Sequence, residues 1–219
     1  MTKNSPTPSP ASQRRANRIK LMVLWLIPFG LMAIAMFCYY LVQSGQMTVS
    51  SKNHGSLIQP PLQLNELLGN IQHSDSSGQP LDLDNPWQGK WTMVVRGDVD
   101  GAEQCSQSCR DNLYATRQLH IRLDKNANRV QRVYLTHNPK ADADFSAFLQ
   151  EEHRLTKFYV ADQASLASLD SALRTPSGEA ASFFLVDPAG WAMMFYSSEH
   201  TGNGKLKDLK HLLKYSRER

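Results

Sequence analysis

The sequence predicts an α/β domain carried behind one transmembrane helix. Three observations predict it. Residues Leu21 to Val42 form an apolar run without a charge; from Trp91 onward short apolar runs alternate with helical stripes; and Asp187-Pro-Ala-Gly separates the last two runs as a turn.

At about 1.5 Å rise per residue, the run from Leu21 to Val42 crosses the ~30 Å hydrocarbon layer. Pro28 and Gly30 are tolerable within a span, and Tyr39 and Tyr40 suit the interfacial aromatic belt. Lys3, Arg14, Arg15, Arg18 and Lys20 precede the run, whereas the first acidic residue is Glu66. By the positive-inside rule, residues 1–20 form a cytoplasmic basic tail and the larger C-terminal part is exported. The expectation is a single-pass membrane protein with its larger domain exported. A cleaved signal peptide fits less well, because the run exceeds the usual apolar region and shows no small-x-small cleavage site.

The formal net charge of +4 does not point to nucleic acid, because the excess sits in the tail. From residue 47 onward, 19 Lys plus Arg stand against 20 Asp plus Glu, leaving one net negative charge. No nucleic-acid partner is expected.

Residues 43–61, rich in Ser, Gln and Gly and closed by Pro60-Pro61, read as a linker to an exported domain over 62–219. Between Leu62 and Asn85 the apolar patches are short and broken by His73-Ser-Asp-Ser-Ser-Gly, which suits a peripheral hairpin or irregular chain. A strand follows from Trp91 to Val95, then a polar loop, two cysteines and a helix from about Ser108 to Leu123. Arg129 to Thr136 reads as a strand centred on Val133-Tyr-Leu, and Phe145, Phe148 and Leu149 mark one face of a helix. Lys157 to Val160 is a short strand, with Asp162 placed to cap a helix whose Leu166, Leu169 and Leu173 share a stripe. Ser182 to Val186 and Trp191 to Tyr196 flank the turn, and Gly204 to Tyr215 forms the last helix.

The order is β-α-β-α-β-α-β-β-α, the architecture of a thioredoxin-like domain, with parallel strands and a terminal antiparallel hairpin. Cys105 and Cys109 are its only cysteines, since Cys38 lies within the apolar run as a small buried-type residue. Such an exported pair can close a disulfide, act as an exchanging dithiol, or bind a soft metal such as Cu(I). At or near a first helical turn, free amide N–H groups and the helix dipole stabilise the thiolates that exchange and ligation both require.

Gly89-Lys-Trp-Thr-Met-Val-Val, the Cys-x-x-x-Cys, Val133-Tyr-Leu-Thr-His-Asn-Pro and Phe184-Leu-Val-Asp-Pro-Ala-Gly occur in the order of the landmarks of Sco/SenC proteins. The chain resembles that family from roughly Gly55 to its C-terminus. Leu113-Tyr-Ala-Thr-Arg-Gln and Arg129-Val-Gln-Arg-Val-Tyr-Leu resemble an Sco-related bacterial group associated with cytochrome c oxidase. The resemblance implies a membrane-anchored, thioredoxin-like factor that handles copper or exchanges thiols with a protein partner during oxidase assembly. It also implies a histidine as third copper ligand, yet Glu179 stands where that histidine would be, and a hard carboxylate suits Cu(I) poorly. The family's prolines beside the cysteines are replaced by Ser106 and Arg110, and the preceding loop from Gly97 to Gln104 is acidic.

Two other histidines can be weighed against that gap. His120 shares a helical stripe with Cys109 but lies roughly 16 Å along the axis, too far for a shared metal. His137 ends a parallel strand on the edge where α/β sites form, so it is the candidate third ligand, although a strand-end histidine also serves as a surface hydrogen-bonding group. His54, His73, His153, His200 and His211 lack partner spacing and read as surface residues. Three readings stay open: a thiol-disulfide oxidoreductase centred on Cys105 and Cys109, Cu(I) delivery by the same pair, and a docking module with a static disulfide.

Overall fold

A computed structural model describes residues 10–43, 53–87, 89–97, 104–175 and 178–216. The chain divides into two units, Met1–Lys52 and Asn53–Arg219. In the first, helix α1 spans Pro10–Gln43 and contains Pro28. Its segment Lys20–Leu41, 22 residues of mean hydropathy 2.4, is long and apolar enough to cross a membrane. The helix begins inside the expected basic tail, whose residues 1–9 lie outside the described residues, as do 44–52 of the linker and 98–103 of the acidic loop.

The second unit runs β1 (Ser56–Gln63), α2 (Leu64–Leu67), β2 (Gln72–Ser74), β3 (Trp91–Arg96), α3 (Gln107–Ile121), β4 (Val130–Thr136), α4 (Ala143–Glu152), β5 (Thr156–Val160), α5 (Gln163–Ala172), β6 (Phe183–Val186), β7 (Trp191–Tyr196) and α6 (Gly202–Tyr215). From Trp91 on, this is the expected alternation, with a 3₁₀ turn at Asp124–Arg129 leading into β4. The seven strands form one sheet in the order β1-β7-β6-β3-β4-β5-β2. Strands β3, β4 and β5 are parallel, while β6 and β7 pair antiparallel.

Before Trp91 the structure differs in part from the sequence expectation. Residues 56–61, assigned to the linker, belong to β1, which pairs antiparallel with β7. Its register shifts between Leu57 and Leu62, around Pro60 and Pro61, which have no N–H to offer a neighbour and are tolerated because β1 is an edge strand. The broken stretch turns back on itself at the periphery as expected, with Ser74 bridging Pro80 antiparallel and the Leu81 N–H donating to the His73 carbonyl, and it also contributes β2 to the opposite edge of the sheet, where Gln72 faces Val160.

Alternation along each strand builds a core on both faces of the sheet. Trp91, Met93, Val95, Tyr134, Phe158 and Leu185 pack with α3, α4 and α6, including Leu113, Leu149 and Leu209. Val94, Val133, Leu135, Tyr159 and Phe184 pack on the other face with Trp87 and with Leu166 and Leu169 of α5. Each such fully buried side chain stabilises the fold by roughly 1.5–3 kcal/mol relative to exposure. The chain enters this unit under firm control, because the buried Asp208 carboxylate accepts the His54 N–H at 2.8 Å, the Gly55 N–H at 2.9 Å and the Tyr196 hydroxyl at 3.2 Å.

Candidate thiol-disulfide site

Cys105 and Cys109 lie at the start of α3, beyond the C-terminal end of β3. Ser106, with extended backbone, is the N-cap, and its Oγ accepts the Cys109 N–H at 3.3 Å. Helix α3 therefore starts at Gln107, slightly earlier than expected, with Cys109 in its first turn and Cys105 just before the cap. The two sulfurs are joined in a disulfide with a Cα–Cα distance of 5.3 Å, within the ordinary reach of such a bond. Cys109 is only 6% exposed and sits in the core, whereas Cys105 is half-buried. The difference orders the pair, because an incoming thiolate reaches the more open sulfur first.

The residue before the pair is held on three sides. Gln104 accepts the Tyr134 hydroxyl on its backbone carbonyl at 2.8 Å, donates from Nε2 to the Lys140 carbonyl at 2.9 Å, and accepts the Asp142 N–H on Oε1 at 3.1 Å. Asp142 is the N-cap of α4, so this clamp ties the cysteine loop to the β4–α4 connection. Gly97 makes room for the Tyr134 contact: a Cβ there would lie 2.0 Å from the Tyr134 Oη. Its own N–H donates to the Leu135 carbonyl at 2.9 Å.

Arg110 follows Cys109 and pairs with Asp144 at 3.0 Å, its guanidinium lying 4.7 Å from the Phe148 ring centroid. The cation beside the buried sulfur is thus directed towards α4.

His137 is exposed immediately after β4. Among the described residues, no three His, Cys, Asp or Glu side chains form a group that could hold a metal ion. Glu179 is committed elsewhere. Its carboxylate accepts the Ser198 hydroxyl, and its charge favours the ammonium of buried Lys205, whose affinity for a proton is lowered chiefly by burial. Cu(I) would find two soft ligands in the reduced pair, but the position that resemblance assigns to the third ligand holds a hydrogen-bonded carboxylate.

The other histidines divide. His120 Nε2 is 3.0 Å from the carbonyls of both Ala127 and Val130, fastening the end of α3 to the turn that follows. His153, expected at the surface, is only 1% exposed and lies 3.0 Å through Nδ1 from the Arg132 guanidinium. His73 is half-buried against the Tyr159 ring rather than free in solvent. Sequence reasoning also passed over Gln104 and Tyr134. Ser106 left a signal, a capping-type residue ahead of a helical stripe, but nothing in a polar loop marks Gln104 as a clamp.

Residues 91–216 match the family described as transmembrane-like, thioredoxin-like, C-terminal domain. The chain belongs to this family. A comparison with curated proteins finds no match. Solved structures similar to it include Sco proteins and a SCO1/SenC family lipoprotein. Yeast Sco1 is 19% identical, covering 68% of this chain and 97% of its own, at a TM-score of 0.49. Copper-bound ScoI from Arabidopsis thaliana is 16% identical, covering 68% of this chain and 99% of its own, at a TM-score of 0.48. Copper-bound ScoI from Bradyrhizobium japonicum is 19% identical over 65% of this chain and 97% of its own, at a TM-score of 0.45. The thioredoxin-like domain thus carries its cysteine pair at the start of α3, on the C-terminal side of its parallel strands.

Proposed function

We propose that this protein is a membrane-tethered thiol-disulfide exchange factor acting in cytochrome c oxidase assembly, with Cys105 as the contact thiol and Cys109 as the resolving thiol. The observation that carries the reading is the asymmetry of a formed disulfide, one sulfur half-buried before the helix cap and the other within the core. A partner thiolate attacks the Cys105 sulfur, a mixed disulfide forms, and Cys109 leaves as a thiolate favoured by the start of α3. A second partner thiolate then releases Cys105, so two electrons pass to this protein and the partner becomes a disulfide. In the reverse direction Cys109 resolves the mixed disulfide. The oxidase connection and the placement at a bacterial inner membrane rest on the motif resemblance, and the positive charges before the apolar run support a cytoplasmic N-terminus with the domain on the periplasmic side.

Cu(I) delivery is the second reading, favoured by the nearness of the two sulfurs in the chain and in space. His137 or a partner group would have to complete the ligand set.

The test is complementation of a deletion strain with a Cys105→Ser, Cys109→Ser chain that reaches normal levels and resists proteolysis like the unsubstituted protein. Exchange predicts loss of spectroscopically intact oxidase, and a Cys109→Ser chain that accumulates mixed disulfides while Cys105→Ser does not. Full oxidase assembly by the double variant would instead assign the domain a docking role with a static disulfide.

A further inference from the structure

We infer that Gln104 and Tyr134 form a latch that tunes the Cys105–Cys109 couple, as positioning residues rather than reacting ones. The inference rests on the exchange reading of the pair. Residue 104 has three hydrogen-bonding groups engaged with the sheet end and the β4–α4 connection: its carbonyl with the Tyr134 hydroxyl, its amide nitrogen with the Lys140 carbonyl, and its amide oxygen with the Asp142 N–H. On the other side of Cys105, Ser106 caps α3 and the Cys109 sulfur is set in the core. Cys105 is therefore held between an anchor at 104 and the disulfide to 109.

Latch and disulfide restrain the same short stretch of chain. When one is in place, the other closes with less loss of conformational freedom. Coupling of this kind is reciprocal: the latch stabilises the disulfide, and reduction of the disulfide loosens the latch. Tyr134 suits the task because its ring is fixed between Phe145 and Phe158, with centroids at 4.9 and 5.3 Å, so its hydroxyl is presented by a rigid core group. Gly97 keeps the approach open, since any Cβ there would collide with that hydroxyl.

The test uses the full-length chain in detergent micelles on a Cys38→Ser background, so that only the pair titrates. It is equilibrated with graded glutathione buffers, or with dithiothreitol if the pair is more reducing. Two glutathione thiols reduce the S–S bond to two protein thiols and leave as glutathione disulfide. Tyr134→Phe removes the hydroxyl and keeps the ring; Gln104→Ala removes the amide clamp. Each should move the equilibrium several-fold towards the dithiol, and the pair together about tenfold, a rise of roughly 30 mV for a two-electron couple. Gln104→Glu, which keeps an acceptor for the Asp142 N–H, should recover part of the shift.

An equilibrium within twofold of the unsubstituted chain, in variants whose near-UV circular dichroism is native, overturns the latch. So does a loss of thermal stability of equal size in the oxidised and reduced forms. If Tyr134→Phe fails to fold, the half-buried Gln104→Ala decides alone. The absolute potential of the unsubstituted chain tests exchange, whereas the shift between variants tests the latch, so the two can fail separately.

Discussion

Arg132 is 3% exposed, and its guanidinium meets neutral partners: the Leu113 carbonyl at 2.9 Å, the Thr116 hydroxyl at 3.4 Å and His153 Nδ1 at 3.0 Å. Burial, then the charge of Arg117, brings its pKa down to about 10, still well above neutrality. To accept from a charged guanidinium, His153 must stay neutral. Burial first, then Arg132 and Arg117, lower its pKa to about 4. The unfolded imidazole takes up a proton near pH ~6.5 while the folded one does not, so this contribution to stability is complete above that value. It declines as pH falls towards 4, by up to about 1.4 kcal/mol per pH unit. His153→Gln, with an amide oxygen for Arg132, should flatten the decline; thermal unfolding of both chains between pH 7 and 4.5 measures it. A pH slope equal to that of the unsubstituted chain would remove His153 as its source. The sequence around His153, Glu151-Glu-His-Arg, reads as surface because burial here comes from the turn between α4 and β5, which folds one residue of a polar run inward.

At the scale of elements, local signals were legible wherever chemistry forces a boundary. Asp162 accepts the Ser165 N–H at 2.9 Å as the expected cap of α5, and Asp187 Oδ1 accepts the N–H groups of Ala189 and Trp191 in the β6–β7 turn. The edge strands were not legible, because β1 contains two prolines and β2 is only three residues long. Their pairing is decided by the exposed edges of strands distant in sequence. Long-range polar contacts were equally hidden. Arg96, at the end of β3, forms a two-pronged pair with Asp170 of α5, Nε to Oδ1 and Nη2 to Oδ2 both at 2.8 Å, while its Nη1 donates to the Gly97 and Leu135 carbonyls. The fork fastens α5 to the strand ends that precede the cysteine loop. Asp170→Ala removes the carboxylate from a buried guanidinium that keeps its two carbonyl acceptors and should cost about 1.5–3 kcal/mol, seen as a lower urea midpoint. A loss below about 1 kcal/mol would place the pair in the class of exposed, screened ion pairs.

Across the whole molecule, charge, hydropathy and thiols are separated along the chain. The positive excess precedes the apolar run, the apolar run lies in α1, and the near-neutral second unit carries the cysteine pair. That division could be read from composition, as could the alternating fold and the pair at a helix start. The state of the site could not, because the clamp on Gln104 and the diversion of Glu179 to Ser198 arise only when distant segments meet. The central claim is that the pair is an exchange centre rather than a fixed staple. Its most direct test is the reduction potential of Cys105–Cys109 in the full-length Cys38→Ser chain, read by equilibrium thiol labelling. Exchange predicts a value above about −300 mV, within reach of biological thiol couples; a value well below that, where structural disulfides lie, would contradict it.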